Sequence, residues 1–451
     1  MVLVAGTVTG VLAAGGDGPA VPPLYMAGIG EQPCTGQVVV VPPSTAAHFL
    51  AGSSVLSPDA QNRCTTGAVA ASQRWLDDGV IPGDSATGRE IATRALLDLR
   101  LSVLPDGAVV AGYHNGWDYT WPRDSSWVAV ALADTGHGAQ ALSILQFLLR
   151  MQSADGTWAA RYHTDGSGPV EDGRPAELDA VGWVPWAVWS WAQSQPPGQA
   201  HAELERLWPM VTKAADAAIA SLTSDGLPKP AMDYWEDKPI EVTLGTAAPL
   251  LAGLRAAADL AGELAAGGPG DTAGGQDAAG GPGDVAARAE QARWAAAAGK
   301  LSAAITRTFG TSGYQRTPSA ASGAEAAVTF LGPPFATPDR AVIKAASSAQ
   351  AALTEPNGGL RPGTAWHGAA GVAWTPETAM FALFDAGTGQ QAAAEKLLTW
   401  LSAHRTSLGE FPEQVTPAGK PASVAPLAWT DAIVLLTLLA QSGHLPAVPA
   451  P

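Results

Sequence analysis

From about residue 86 to residue 442 the chain alternates between Ala- and Leu-rich stretches with helical periodicity and connections of other composition. The stretch over residues 138–152 carries Leu142, Leu145 and Leu149 at the i, i+3 and i+7 spacing of an amphipathic helix. The last stretch is apolar nearly all round, which suits a helix enclosed by others. We predict twelve helices, over residues 88–103, 123–135, 138–152, 177–194, 201–222, 244–264, 286–308, 322–331, 338–352, 374–386, 389–405 and 426–442.

Every second connection between these helices is rich in Trp, Tyr, Glu, Asp and Arg, whereas the others are short or poor in such side chains. The rich connections span residues 104–122, 153–176, 223–243, 309–321, 353–373 and 406–425. When helical hairpins close into a ring, alternate connections all lie on the same face. The sequence therefore predicts an all-α fold, an (α/α)6 barrel of six hairpins with one functional face.

Two regions differ from this pattern. Residues 1–85 are predicted to form a separate, irregular or β-rich N-terminal segment, because they contain turn residues and short β-like runs such as Val38–Val41. The predicted barrel domain spans residues 86–445. A Gly-rich stretch at 266–285 repeats GGPGD and follows the sixth helix, so we predict a surface insertion on the face opposite the rich connections.

The N-terminal segment leaves the location of the protein open. Residues 2–14 are apolar and as long as the core of a signal peptide, but no Lys or Arg precedes Arg63. A truncated signal-like stretch and an ordinary apolar strand remain the alternatives. Cys34 and Cys64 are likewise either two free thiols or, in an exported protein, one disulfide.

Composition excludes several classes of function. The formal net charge of −16 disfavours nucleic acid and anionic membrane surfaces as partners, because both need a basic face. No stretch is long and apolar enough to span a bilayer. The eight histidines have no metal-binding spacing, and two cysteines cannot form a four-thiolate zinc site. We therefore predict neither a metal nor a cofactor.

Two glutamates occupy matched positions in short aromatic or proline-bearing loops, each before a long apolar helix. Glu236 lies in the loop MDYWEDK and Glu413 in the loop FPEQV. Hydrolysis of a glycosidic bond needs two carboxyl groups that face each other across the sugar, one to protonate the leaving oxygen and one to activate water or attack. The two glutamates are therefore candidates for such a pair.

Aromatic residues and an Arg–Asp pair support a sugar site. The 16 tryptophans outnumber the 8 Phe and 6 Tyr together, and indole rings either stack on sugars or fill a core. The loop NGWDYTWPRD ends in Arg123 and Asp124, which together provide donors and acceptors for sugar hydroxyl groups. The alternative is that Asp124 caps a helix and Arg123 is a surface charge.

These motifs together resemble glycoside hydrolase family 15, the glucoamylases. The resemblance rests on Trp-Pro-Arg-Asp ending at Asp124, Gly-Arg-Pro around Arg174, Trp-Glu at Glu236 and Pro-Glu-Gln around Glu413, in that order, over residues 86–442. It implies an (α/α)6 barrel and inverting hydrolysis of α-glucosides from the non-reducing end. The implied substrate is a small or polymeric α-glucan.

The resemblance also implies roles for individual residues. Glu236 is similar to the general acid of the family and Glu413 to its general base. The implied substrate-binding residues are Trp121, Arg123, Asp124, Arg174, Trp235, Asp237 and Arg361. Arg123 and Asp124 would hold the terminal glucose, and Trp235 would form a wall of the subsite.

Three alternatives stay open. The short loops and the short segment before the barrel fit small glucosides, so a trehalase-like enzyme and an isomaltose- or dextran-type glucosidase on the same barrel are both compatible with the sequence. A sugar-binding protein that has lost catalysis is the third, and the presence of both glutamates speaks against it. The linkage preference, the length of the substrate and the oligomeric state do not follow from the sequence.

Overall fold

The computed structural model describes residues 20–57, 62–266 and 282–445. Within these ranges it contains twelve α-helices: α1 Arg63–Asp77, α2 Ala86–Ser102, α3 Pro122–Asp134, α4 Gly138–Met151, α5 Ala180–Ser194, α6 Pro197–Ser221, α7 Leu244–Ala265, α8 Pro282–Thr308, α9 Arg340–Leu353, α10 Thr375–Gly387, α11 Gln391–Ala403 and α12 Ala428–Gln441. Short 3₁₀ helices occupy Gly310–Ser312, Ala320–Ser322 and Ala326–Leu331. None of the described helices is long and apolar enough to cross a membrane.

The strands are short and lie in the connections and the N-terminal segment. They are β1 Gly28–Glu31, β2 Val38–Val41, β3 Tyr119–Thr120, β4 Tyr162–His163, β5 Ala373–Trp374, β6 Gln414–Val415 and β7 Pro421–Ala422. β1 pairs with β2 and β3 with β4, while β5, β6 and β7 form a three-stranded sheet, and all these pairs are antiparallel. The sheets thus tie neighbouring connections together on one face of the barrel.

The helices form two concentric rings. In the inner ring α3, α5, α7, the 3₁₀ helix Ala326–Leu331, α10 and α12 each contact the next member, and α12 returns to α3. In the outer ring α4, α6, α8, α9 and α11 pack against inner elements, and α2 packs against α12. This closed arrangement confirms the predicted (α/α)6 barrel. The connections that lead from an outer to an inner element are the six predicted as rich, so they share one face.

The inner ring is packed around aromatic side chains. Trp127, Trp183, Trp186, Phe330 and Phe335 are all buried, and their ring centroids lie 4.9–6.2 Å apart, mostly edge to face. Edge-to-face contacts of this kind add stability beyond the burial of apolar area. Three of the tryptophans therefore fill the core.

Two elements differ from the prediction. Helix α1 lies in the segment predicted to be irregular. It begins after Asn62, whose side chain accepts a hydrogen bond from the Thr65 backbone N–H at 3.1 Å. Its buried face consists of Thr65, Ala68, Ser72 and Leu76, so few large apolar side chains mark it in the sequence. The segment predicted as a helix over 322–331 instead contains a 3₁₀ element at Ala326–Leu331, and Gly323 before it has a non-helical φ of +81°.

The N-terminal segment packs against the barrel. Cys34 and Cys64 form a disulfide that joins the β1–β2 hairpin to α1. The Ile29 backbone N–H donates to the Glu410 carboxylate at 3.0 Å, and the Tyr25 N–H donates to the Ser423 carbonyl oxygen at 2.9 Å. The segment thereby supports the connection between α11 and α12. The predicted boundary at residue 85 falls just before α2. Residues 2–14 and most of the Gly-rich stretch at 266–285 lie outside the described residues.

Candidate active site

A cavity of about 100 Å³ lies on the face formed by the rich connections. Its walls come from those connections and from the first turns of the inner helices that follow them. The lining residues are Ala111, Trp117, Trp121, Arg123, Asp124, Tyr234, Trp235, Glu236, Pro362, Trp366, Trp374, Pro376, Glu377, Glu413, Leu427 and Trp429. Both candidate catalytic glutamates are among them, together with four of the seven predicted substrate-binding residues.

Glu236 lies in the connection before α7 and is half-buried. Its Oε1 accepts a hydrogen bond from the Trp121 indole N–H at 3.1 Å, and its Oε2 forms an ion pair with Arg174. The backbone of Glu236 has φ = +58°, a left-handed conformation that is uncommon for a residue other than glycine. Such conformations are held by the surrounding structure and cluster at functional sites.

The loop of Glu236 is held in place by a buried ionic network. Asp233 accepts hydrogen bonds from the Trp235 N–H at 3.0 Å and from the Thr243 hydroxyl at 2.6 Å. Asp233 also pairs with Arg316 at 3.2 Å, and Arg316 in turn pairs with Glu325 at 2.7 Å. The Arg316 guanidinium stacks on the Trp235 ring, 3.6 Å from its centroid. These contacts fix the loop because every charged group in it has a partner.

Glu413 lies in the connection before α12 and is half-buried, like Glu236. Its Oε1 accepts from the Trp117 indole N–H at 3.1 Å, and its Oε2 accepts from the Ser423 hydroxyl and from Gln414 Nε2 at 3.3 Å. Burial raises the pKa of Glu413 above its ordinary value, while these three donors favour the carboxylate and limit the rise. Ser423 also has a left-handed backbone, with φ = +65°.

One loop therefore orients both glutamates. Trp117 and Trp121 belong to the same connection before α3, and each donates its indole N–H to one of the two carboxylates. Each carboxylate keeps acceptor capacity toward the cavity, since an ionised carboxylate has about four lone-pair sites. The arrangement presents two half-buried carboxyl groups to one cavity.

Arg123 and Asp124 lie at the base of the cavity, in the first turn of α3. Arg123 is only 5% exposed and forms ion pairs with Glu177, with Asp179 at 3.4 Å and with Asp124 at 3.4 Å. Burial raises the pKa of Asp124 to about 6, although Arg123 opposes the rise. Trp121 occupies the N-cap position of α3, so Asp124 is not the helix cap. Arg123 is buried and is therefore not a surface charge.

The burial of Arg123 leads to a prediction about stability. Arg123→Ala leaves the Glu177, Asp179 and Asp124 carboxyl groups without their shared cation, and removal of one member of a buried ionic cluster costs about 3–5 kcal/mol. We expect the free energy of unfolding, measured by chemical denaturation, to fall by that amount. Arg206→Ala is the matched control, because Arg206 is largely exposed and its pair with Glu203 is worth about 0–1 kcal/mol. An equal loss in both variants would contradict the prediction.

Three of the predicted substrate-binding residues do not line the cavity. Arg174 forms an ion pair with Glu236, which lines the cavity, and a second ion pair with Asp172 at 3.1 Å. Asp237 faces His367 at 3.9 Å and is half-exposed. Arg361 is bound to Glu355 at 3.4 Å and to the Thr364 carbonyl oxygen, and only the following Pro362 reaches the cavity.

Several lining residues carry a buried polar atom that has no hydrogen-bond partner among the described residues. They are the indole N–H groups of Trp235, Trp366 and Trp429, the Nε of Arg123, the hydroxyl of Tyr234, the Oδ2 of Asp124 and the Oε2 of Glu377. Buried polar groups in folded proteins are nearly always paired, so a group left over in a cavity wall indicates a ligand that supplies the partner. A molecule with many hydroxyl groups fits, because each hydroxyl both donates and accepts.

Sequence reasoning missed Trp117, Ser423 and Glu377. Trp117 lies in the loop NGWDYTWPRD, so its position in that loop was a usable signal, whereas nothing in the sequence near Ser423 or Glu377 marks them. Among the residues that the structure describes, no group of His, Cys, Asp or Glu side chains is arranged to hold a metal ion.

Comparison with solved structures identifies the fold. A glycosidase variant solved in complex with glucose matches over 79% of this chain and 97% of its own, with a TM-score of 0.58 and 21% identity. A bacterial glucoamylase complexed with acarbose matches over 86% of this chain and 60% of its own, with a TM-score of 0.63 and 15% identity. The chain has the glucoamylase fold. The resemblance predicted from the sequence motifs is confirmed at this level.

Sequence comparison gives a shorter match. An uncharacterized glycosyl hydrolase of Methanocaldococcus jannaschii is 26% identical over 158 residues, which are 33% of this chain and 23% of that protein. This chain therefore matches about a quarter of the length of that relative. No protein-family model matches the chain. The glucoamylase fold and the contents of its cavity are the basis for a functional proposal.

Proposed function

We propose that the protein is an inverting, exo-acting α-glucoside hydrolase that releases glucose from the non-reducing ends of oligo- or polysaccharides. Glu236 is the general acid and Glu413 the general base. The observation that carries the proposal is that both carboxyl groups line one cavity of a glucoamylase fold, each oriented by an indole N–H from the same loop.

The different surroundings of the two glutamates suit different roles. Glu413 receives three side-chain hydrogen bonds, which stabilise the carboxylate that must accept a proton from water. About 30% of the Glu236 side chain is exposed, so its carboxyl group can reach a group that departs toward solvent. A pair of this kind divides the work of inverting hydrolysis: one carboxyl protonates the leaving oxygen and the other activates water.

The cavity supports a saccharide as the ligand. Its volume of about 100 Å³ is small, which fits one terminal sugar unit better than a long stretch of chain. Arg123, Asp124 and the three free indole N–H groups supply donors and acceptors for hydroxyl groups. The two structural relatives described above were solved with glucose and with acarbose. Bound saccharides in the same fold support the proposal.

The first test is a hydrolysis panel. Purified protein is incubated with maltose, isomaltose, trehalose and soluble starch, and released glucose is measured. Release from maltose and starch supports the proposed function, whereas preferential release from trehalose or isomaltose assigns the trehalase-like or isomaltose-type alternative. Binding of these sugars by calorimetry without release from any of them would overturn the proposal in favour of a sugar-binding protein.

The contact between Ser423 and Glu413 predicts a pH effect. The Ser423 hydroxyl favours the ionised form of Glu413, so Ser423→Ala raises a pKa that burial has already raised. A general base must be ionised, and activity is therefore lost as pH falls through this pKa. We expect the acid limb of the kcat/KM profile to move to higher pH in Ser423→Ala. Ser102→Ala is the control, because its hydroxyl is bound to the Asp98 carbonyl oxygen and does not line the cavity. An unmoved acid limb would contradict this role of Ser423.

A further inference from the structure

A third glutamate borders the cavity in addition to the two proposed catalytic residues. Glu377 is the third residue of α10, in the inner ring, and it follows Pro376, which also lines the cavity. Only 3% of Glu377 is exposed. Its position is set by a rigid inner helix, so its carboxyl group has a fixed place in the cavity wall.

The structure leaves one oxygen of this carboxyl group without a partner. Its Oε2 is enclosed and has no hydrogen bond to any described residue, and no cation of the described ranges forms an ion pair with it. By contrast, the buried Glu177 and Glu325 pair with Arg123 and Arg316. A place in the first turn of α10 favours a carboxyl through the helix dipole and a backbone N–H, but neither gives Oε2 a partner. A buried polar atom without a partner costs about 1–3 kcal/mol, so the helix terminus alone does not account for this oxygen.

The surroundings of Glu377 also set its chemical form. Burial raises the pKa of Glu377 to about 8, against the effect of a backbone N–H, and the nearby Glu413 adds to the rise. The carboxyl group is therefore mostly protonated at neutral pH, with one O–H donor and one free carbonyl acceptor. A sugar hydroxyl offers the complementary acceptor and donor, so the two groups match without a buried charge.

We propose that Glu377 binds a hydroxyl group of the sugar in the cavity and thereby determines which sugars are accepted. Glu377 contributes to the affinity for the sugar before reaction, and it takes no proton from water or from the leaving group. The nature of the ligand rests on the proposed function, whereas the assignment of a polar ligand to Glu377 rests on its own missing partner. A sugar that lacks this hydroxyl leaves the buried carboxyl without a partner. Sites that bind a hydroxyl in this way strongly favour the complete sugar over its deoxy analogue.

The test compares glucose with its 2-, 3-, 4- and 6-deoxy derivatives in wild type, Glu377→Gln and Glu377→Ala, with binding measured by calorimetry. Glutamine has nearly the same shape as the protonated carboxyl and keeps one donor and one acceptor. We expect wild type and Glu377→Gln to bind one deoxy sugar about 5- to 150-fold more weakly than glucose. In Glu377→Ala, glucose itself should bind more weakly by a similar factor, and the penalty for that deoxy sugar should disappear.

Two outcomes would overturn the inference. One is a wild type that binds all deoxy sugars as well as glucose, and the other is a Glu377→Ala variant that keeps the wild-type discrimination. Thermal unfolding checks each variant for folding, and Glu377→Met, which matches the glutamate in volume, replaces Glu377→Ala if that variant does not fold. Calorimetry requires no turnover, so a protein that binds glucose but hydrolyses nothing would contradict the proposed function and leave this inference intact.

Discussion

Glu236→Gln is expected to lower kcat/KM for maltose by roughly 10²–10⁴-fold, the usual contribution of a general acid. An amide cannot protonate the departing oxygen, and a sugar alkoxide is a poor leaving group. α-Glucosyl fluoride needs little acid assistance, because fluoride departs readily. We therefore expect the variant to hydrolyse the fluoride at a rate much closer to that of wild type, and parallel kinetics on the two substrates measure the difference.

The neighbouring residue provides a control for the Glu236 variant. Asp237→Asn makes the same chemical change one residue later, on a half-exposed side chain that does not line the cavity. It should retain most activity on both substrates. Glutamine has no greater difficulty than glutamate with a φ of +58°, so the backbone of Glu236→Gln need not change. Equal losses on maltose and on the fluoride would show that Glu236 is not the acid.

Much of the barrel follows from the sequence, because its helices are long and its rich connections alternate regularly. The two errors have local causes. Few large apolar side chains mark the buried face of helix α1 in the sequence. In the segment 322–331 the apolar composition is correct, but Ala326–Leu331 forms a 3₁₀ element, and Gly323 before it has a non-helical φ. Composition indicates that such a segment is buried, whereas the backbone dihedral angles decide its geometry.

The cavity was predicted less completely than the barrel. Glu236, Glu413, Trp121, Arg123 and Asp124 were all singled out, since each lies in a motif. Their partners come from elsewhere in the chain, and sequence spacing says nothing about which donor will meet which carboxylate. The Trp117 contact with Glu413, for example, joins residues 296 positions apart. Arg361 shows the opposite case, because its local motif is suggestive while its side chain binds neighbours outside the cavity.

The N-terminal segment also holds residues of the cavity wall in place, which the sequence did not indicate. The Ser423 backbone N–H donates to the Pro23 carbonyl oxygen at 2.9 Å, and the Tyr25 N–H donates to the Ser423 carbonyl at 2.9 Å. Tyr25 also stacks on His114, with ring centroids 4.1 Å apart, in the connection that contains Trp117. The ring of Tyr25 also lies 5.8 Å from that of Trp117, so the segment contacts two of the three donors to Glu413. Its packing on the barrel is thereby linked to the chemistry of the cavity.

The stereochemistry of the product is the most decisive expectation. If Glu413 activates water, the water attacks from the face opposite the departing group, and the first glucose formed from an α-glucoside is the β-anomer. The two carboxyl groups of Glu236 and Glu413 should then be separated by roughly 6.5–9.5 Å, the gap that admits a water molecule. Proton NMR of the anomeric region, recorded before mutarotation mixes the anomers, measures the outcome directly.

The alternative mechanism gives the opposite result at every point. A nucleophilic Glu413 would approach the anomeric carbon, form a covalent glycosyl-enzyme and release α-glucose first, with carboxyl groups only about 5–5.5 Å apart. Trapping with a 2-fluoro glucosyl fluoride and mass spectrometry is the matched control, and we expect no added mass. Early α-glucose together with a trapped adduct would reassign Glu413 as a nucleophile and remove the basis for an inverting mechanism.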